Sequence, residues 1–513
     1  MKPHRLSALL LTLLLLSGCG APPSEPTPTP SPTPAASTGG ATAFTLPRTS
    51  GTLHPILGMD KVNAALSGLI WEGLFALDQS FTPQPLLCQS YSVSEDGLTW
   101  TFVLRTGVTF SDGTPLTAAD AAASLELARS AQSRFAGRLS EVQSVTALEG
   151  AVEVVLTSPN GALPALLDIP IVKSGAEGVP PGTGPYRLVQ GEEGEVLTAR
   201  SDWWQGYDLP LETIPLVTIQ AADDLIHAFD TGDISLVTAD LTGSSSLGFS
   251  GNYTVWDYAT TTMVFVGYNC RQGPCADPAL RRALDRAWDR NTVSSALYAR
   301  HAQAATLPIH PAHPDHDPSM AQQRDHSPQL FSQLLTEAGF TQGEDGLWYQ
   351  GRQALSLTMV VNTDNTFRVT AAEYLAGELT RAGVQVELRK LPWSGYQEAL
   401  ASGDFDLYLG AAALSADFNL SPLLTPAGTL NFGGYQSDAT LALLTAWQAS
   451  SGAARTNAAK ALWTDLETQV PFSILCFKNQ SVLTQWGVAS GLTPTQQNPF
   501  YGIQDWHFDL SGS

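Results

Sequence analysis

Positive charge is scarce in this chain: 26 Lys and Arg stand against 48 Asp and Glu over 513 residues, a formal charge of −22. A surface of that sign repels phosphates and anionic headgroups, which excludes nucleic acid as a partner and charge-driven attachment to lipid. Charged residues of either sign make up only 14%, well under the roughly 25% of an ordinary soluble domain. Cysteine is rare as well, five in all, and no CxxC redox or zinc spacing occurs. No run of 18 or more apolar residues exists, so the sequence holds no obvious spanning helix. Nucleophile elbow, P-loop, HExxH and GxGxxG signatures are all missing, which removes the common hydrolase and nucleotide chemistries. What the chain does have is a hydrophobic fraction of 43%. That suffices for a large core and excludes global disorder. The length suggests about three domains at roughly 150 residues each.

The N-terminus carries an address. Lys2, His4 and Arg5 form a basic start, and residues 6–16 form an apolar run too short to span a bilayer. Leu16-Ser17-Gly18-Cys19 then resembles a bacterial lipobox, which makes 1–18 a lipoprotein signal peptide and Cys19 the lipidated new N-terminus, palmitate included. Residues 19–43 follow as a tether. Pro22, Pro23, Pro26, Pro28, Pro30, Pro32 and Pro34 alternate with Ser, Thr and Ala, so the segment buries nothing and prefers extended conformations. The expected location is the extracytoplasmic face of a bacterial cell membrane, periplasm or cell surface, with the body held off the bilayer.

The body begins near Phe44. Residues 99–104 alternate as a strand. Thr117-Ala118-Ala119-Asp120 reads as a capping box opening a helix to about Arg129. Further strands are expected at 152–156, 217–220 and 263–268. Asp277 before Pro278 is an N-cap followed by an N1 proline, with Leu280, Ala283, Leu284, Ala287 and Trp288 on one helix face. The clearest unit lies at 355–412: strands at 355–361, 384–388 and 405–411 alternate with helices at 368–382 and 394–402, closed by Gly383 and Gly403. That β-α-β-α-β order demands a parallel, doubly wound α/β sheet, whose ligands bind at the carboxyl ends of its strands. The loop 414–419 after the third strand is therefore an expected ligand loop.

Other residues leave alternatives open. Cys270 and Cys275 enclose four residues and form either a small disulfide loop or a free pair, whereas Cys88 and Cys476 sit in apolar contexts typical of core. Trp203, Trp204, Tyr207 and Trp393 either stack on a ligand or fill core. His310, His313 and His316 read H-P-A-H-P-D-H. Pro311 and Pro314 prevent a shared helical face, so a surface metal site there stands only as an alternative to a solvated loop, and no metal is assigned.

A set of motifs, in order, resembles a known family. Leu69-Ile70-Trp71-Glu72-Gly73-Leu74 is followed by Ser92-Val93-Ser94-Glu95-Asp96-Gly97-Leu98-Thr99-Trp100-Thr101-Phe102 and by Thr109-Phe110-Ser111-Asp112-Gly113-Thr114-Pro115. Then come Gly182-Thr183-Gly184-Pro185-Tyr186, the helix from Asp277 to Arg290, and Leu334-Leu335-Thr336-Glu337-Ala338-Gly339-Phe340. These resemble the family 5 extracellular solute-binding proteins of ABC importers, the peptide- and nickel-binding group, over roughly residues 44–513.

The resemblance implies a two-lobed periplasmic-binding-protein fold (cluster C, type II) of mixed, doubly wound sheets with an extra small domain. Lobe 1 would be 44–74, 175–266 and 480–513, the small domain 75–174, and lobe 2 267–479, with hinge strands crossing near 263–269 and 472–479. The lobes would close on a ligand and the monomer would dock on membrane permease subunits driven by separate ATPases. It would have no cofactor and no covalent chemistry of its own. In the family's peptide binders an Asp in a "G-W-x-A-D-Y-N" pattern pairs with the peptide's α-ammonium. Ala416-Asp417-Phe418-Asn419 matches its second half, which makes Asp417 the candidate, with Trp393 as a stacking face and Asp60 as a second acidic contact. Ala413-Leu414 replaces the Gly-Trp pair, and Ala411 stands where an arginine sometimes lies. Oligopeptide capture is the function implied. The alternatives are a nickel chelate or another small solute and, in a different class, a secreted hydrolase, for which neither a nucleophile nor a carboxylate pair is found.

Overall fold

The computed structural model describes residues 42–192, 194–244 and 248–510. The signal peptide, Cys19 and most of the tether lie outside the described residues.

A four-stranded sheet ordered Leu46–Thr49, Thr213–Ile219, Glu195–Ala199, Tyr186–Gln190 organises the first lobe. The second lobe is built on the largest sheet, in which Phe472–Gln485, Tyr253–Tyr268, Leu407–Ala413, Ser356–Asn362 and Gln385–Leu391 lie side by side. Ser356–Asn362 pairs in parallel with both of its neighbours, as the alternation of strand and helix over 355–412 requires. The intervening helices run Thr366–Arg381 and Trp393–Ser402, and the second ends on Gly403 in the left-handed region, φ +75°. The capping box at Thr117 and the Asp277 N-cap form as the sequence indicates.

Two long strands join the lobes. Residues 253–259 pair with 479–485, which also carry Leu236–Ala239 on their far side. Residues 263–267 go on to pair with 472–477 of the same partner strand, and 262–268 pair on their other side with Leu407–Ala413. Between these stretches the ladder is irregular, from Ala259 to Met263. Threonine hydroxyl and amide groups fill the gap: Thr260 Oγ1 donates to Lys478 O (2.6 Å), Thr261 Oγ1 to Leu414 O (2.7 Å), and Thr261 N to Gln496 Oε1 (2.8 Å). Tyr258 packs with the first lobe. Met263 to Val266, which the family resemblance assigns to that lobe, pack into the cores of the second.

The small region around 75–174 has its own antiparallel sheet (Cys88–Val93, Thr99–Leu104, Ala151–Leu156, Val142–Leu148) and the helix Ala118–Ala128. It has no core of its own. Phe102, Leu125 and Val154 belong to the same buried cluster as Leu46, Leu69 and Phe75 of the first lobe. In the second lobe a buried ionic hub replaces apolar packing. Asp285 accepts from Arg290 (2.6 Å), Arg286 (2.7 Å), Arg324 (3.0 Å) and Ser473 (2.5 Å), and so ties the helix Pro278–Asp285 to a crossing strand. Cys88, Cys270, Cys275 and Cys476 are all free thiols, which decides between the two readings of the 270/275 pair.

Candidate functional site

A cavity of about 910 Å³ opens between the first lobe, the small region and the C-terminal segment. The short helix Lys61–Ala65 and the following turn to Leu77 form one wall. Asp60 caps that helix, accepting from Asn63 N at 2.9 Å. Arg134, Phe135, Arg138 and Asp168 form the opposite wall. Tyr258 and Gln480 of the crossing strands face in, and residues 493–505 close one side. Gly68 is what lets that segment approach: a Cβ there would lie 2.0 Å from Asn498 Oδ1.

The electrostatics of this lining are uneven. Asp168 is ion-paired with Arg138, and Asp240 with Lys478 (2.8 Å). Glu72, fully buried, takes hydrogen bonds from Thr183 (2.8 Å), Trp203 (3.2 Å), Trp204 (2.8 Å) and Gln205 (3.0 Å). Burial raises its pKa, and those four donors oppose the rise. Among the described residues Arg134 has no such partner. Its guanidinium lies 4.7 Å from the Phe135 ring centroid, with Arg138 at 4.9 Å, and its Nε is buried without a hydrogen bond. Burial, then the neighbouring Arg138, push its pKa down to about 10, with Asp168 opposing. A desolvated cation aimed into a cavity is an incomplete pair, and an anionic group on a ligand completes it. The lining contains no histidine and no cysteine.

None of Ala416, Asp417, Phe418, Asn419, Trp393 and Asp60 lines this cavity. The structure brings the first three together elsewhere, at a junction between the second lobe and the small region. There Asp417 Oδ2 accepts from Asn160 Nδ2 (3.0 Å), and its other oxygen accepts from Ser415. Ala416 packs into the first-lobe core and Phe418 into that of the second. Asn419 accepts from Gln448 (2.7 Å) and caps Ser421. Trp393, 50% exposed, stands against Tyr396 at the start of its helix. Trp203 does reach the cavity, with its indole N–H on Glu72. The three histidines lie near one another without forming a ligand set. His310 and His313 each turn Nδ1 to a backbone N–H two residues on (3.0 Å both), and among the described residues no group of three His, Cys, Asp or Glu is placed to hold a metal.

Arg134 and Arg138 escape a motif search because they lie in an irregular segment outside every motif. Two arginines four apart around a Phe are the only signal the sequence offers.

Two lobes joined by crossing strands and a solute-sized cavity are the architecture of a solute-binding protein. The chain belongs to the bacterial extracellular solute-binding proteins, family 5, the receptors of ABC importers; the family model matches residues 82–431. Protein XP55 of Streptomyces lividans is 28% identical over 394 residues, 73% of this chain and 70% of that protein. The glutathione-binding protein GsiB of Escherichia coli K12 is 24% identical over 404 residues, 72% and 75%. Among solved structures, the unliganded open form of the murein tripeptide-binding protein MppA covers 92% of this chain and 99% of its own, at 19% identity and a TM-score of 0.76. A nickel ABC transporter structure from Bacillus halodurans covers 90% and 98%, at 20% identity and 0.74. Among the described residues no helix is long and apolar enough to cross a membrane.

Proposed function

We propose that this protein is the lipid-anchored receptor of a peptide importer, which captures short peptides with a free carboxylate and hands them to permease subunits. The observation that carries the reading is Arg134: a guanidinium without an acid partner of its own, half-buried in a cavity lined largely by aromatic, amide and small side chains. The volume of about 910 Å³ lies in the range of roughly 300–1,000 Å³ that holds small ligands. Phe500, Tyr501, Trp71 and Trp203 offer apolar faces. Gln480 and Asn498 offer amide N–H donors for peptide carbonyl groups. A relative that binds glutathione, itself a peptide acid, supports the same ligand class. Cys19 supplies the anchor, and metabolic labelling with palmitate, lost in Cys19→Ser, is its check.

Thermal denaturation with di- to pentapeptides, glutathione, sugars and nickel–histidine tests the ligand class. A ligand bound only by the folded form at 100 times its Kd adds about 2.7 kcal/mol. Peptides should raise Tm. A clear rise with nickel–histidine or sugar and none with any peptide would sink the reading.

A further inference from the structure

We propose that the small region carries a clasp that holds the second lobe without any ligand, and that Phe81 and Asn160 are its positioning residues. Besides the two crossing strands, two protrusions of the small region reach the second lobe. The first is Phe81, presented on a tight turn in which Asp78 Oδ1 accepts from Ser80 N (2.9 Å), Ser80 Oγ (2.7 Å) and Thr82 N (3.0 Å). Phe81 is 3% exposed, yet what buries it is the core of the other lobe. Its ring meets Phe418 edge-on at 5.1 Å and His310 at 5.2 Å. Both phenylalanines have positive φ, +62° and +56°, a strained region for a bulky residue that persists only where packing holds it. Here each ring helps to hold the other.

The second protrusion is the turn at 160–161. Asn160 Nδ2 donates to Asp417 Oδ2 (3.0 Å), and Gly161 N donates to Gln448 O (2.7 Å). The backbones approach so closely that a Cβ on Gly161 would lie 1.9 Å from Ser450 O. In return the second lobe sends Ala416 into the first-lobe core. A contact that seats one residue of each lobe in the other's core limits how far the lobes open.

The test is small-angle scattering of the ligand-free full chain in wild type, Phe81→Ala, Asn160→Asp and the double variant Asn160→Asp/Asp417→Asn, with near-UV circular dichroism to report folding. Asn160→Asp sets two carboxylates against each other and should increase the radius of gyration. The double variant restores a donor–acceptor pair with its polarity reversed and should return the wild-type value, a rescue that a merely structural role would not produce. Phe81→Ala should enlarge the particle by the other route. Folded single variants that scatter as wild type would overturn the clasp, as would a double variant as open as Asn160→Asp. Peptide affinity should change by less than about twofold in the opened variants, because the cavity takes no lining residue from the second lobe. That arm alone rests on the peptide reading, so a wild type that binds no peptide removes the ligand and leaves the scattering comparison intact as a test of the clasp.

Discussion

Arg134, on which the proposed ligand reading rests, and Asp417, which the family resemblance nominates, are differently legible. Asp417 stands out in the sequence through its neighbours Ala416, Phe418 and Asn419, yet its oxygens are taken by Ser415 and Asn160. Arg134 stands out only when the fold shows that no acid is committed to it. Arg134→Ala should weaken peptides with a free C-terminal carboxylate by about 2 kcal/mol, the scale of a hydrogen bond to a charged group. Amidated peptides should be affected far less. Isothermal titration of both ligand types checks this, and equal losses would show that Arg134 acts through packing. Asp417→Ala should leave the binding of free and N-acetylated peptides alike nearly unchanged, because the residue lies outside the cavity. A loss confined to free peptides would return Asp417 to the role of ammonium receptor that the family resemblance implies.

At the scale of elements, buried ionisable groups tie segments together and make stability depend on pH. Burial alone would raise the Asp285 pKa, but Arg324, Arg290 and Arg286 hold its carboxyl well below the usual range. Its contribution is therefore present above the unfolded value near pH 4 and lost as pH falls below it. Asp285→Asn should cost about 3–5 kcal/mol, since it leaves Arg290 and Arg324 around a neutral amide with no other acid and Arg286 with Glu467 alone. Urea unfolding at pH 7 measures it. The segment 310–316 acts in a higher window. Burial pushes His310 and His313 each down to about 4, with neighbouring histidines adding to it for His310. The unfolded chain then binds more protons than the native one between about pH 6.5 and 4, so stability should fall across that interval on acidification, by at most about 3 kcal/mol per histidine. In His310→Asn/His313→Asn the slope over that interval should flatten. An unchanged slope would place the titrating groups elsewhere.

For the molecule as a whole, the shared core decides how it comes apart. The small region looks like a separate domain along the chain, bounded by motifs and holding its own sheet. Its buried side chains are continuous with those of the first lobe, so the two should unfold in one transition. Residues 75–174 expressed alone should give no cooperative melt and no dispersed amide spectrum. A folded fragment would show that the continuity of the core is incidental.

Local physics accounts for what the sequence determined by itself. Caps at Thr117 and Asp277, the alternation of strands and helices over 355–412, the parallel sheet that alternation demands and the absence of a nucleophile motif all depend on residues within a few positions of one another, or on chain connectivity. The family motifs were legible for the same reason. What only the tertiary structure decided depends on partners far apart in the chain: Asn160 against Asp417, Phe81 against Phe418, Gly68 beneath Asn498, and Arg134 with no acid of its own. Charge and burial belong to a neighbourhood in space. The vacant partner of Arg134, on which the ligand reading rests, becomes visible only once Glu72, Asp168 and Asp240 have been seen to be satisfied by other donors.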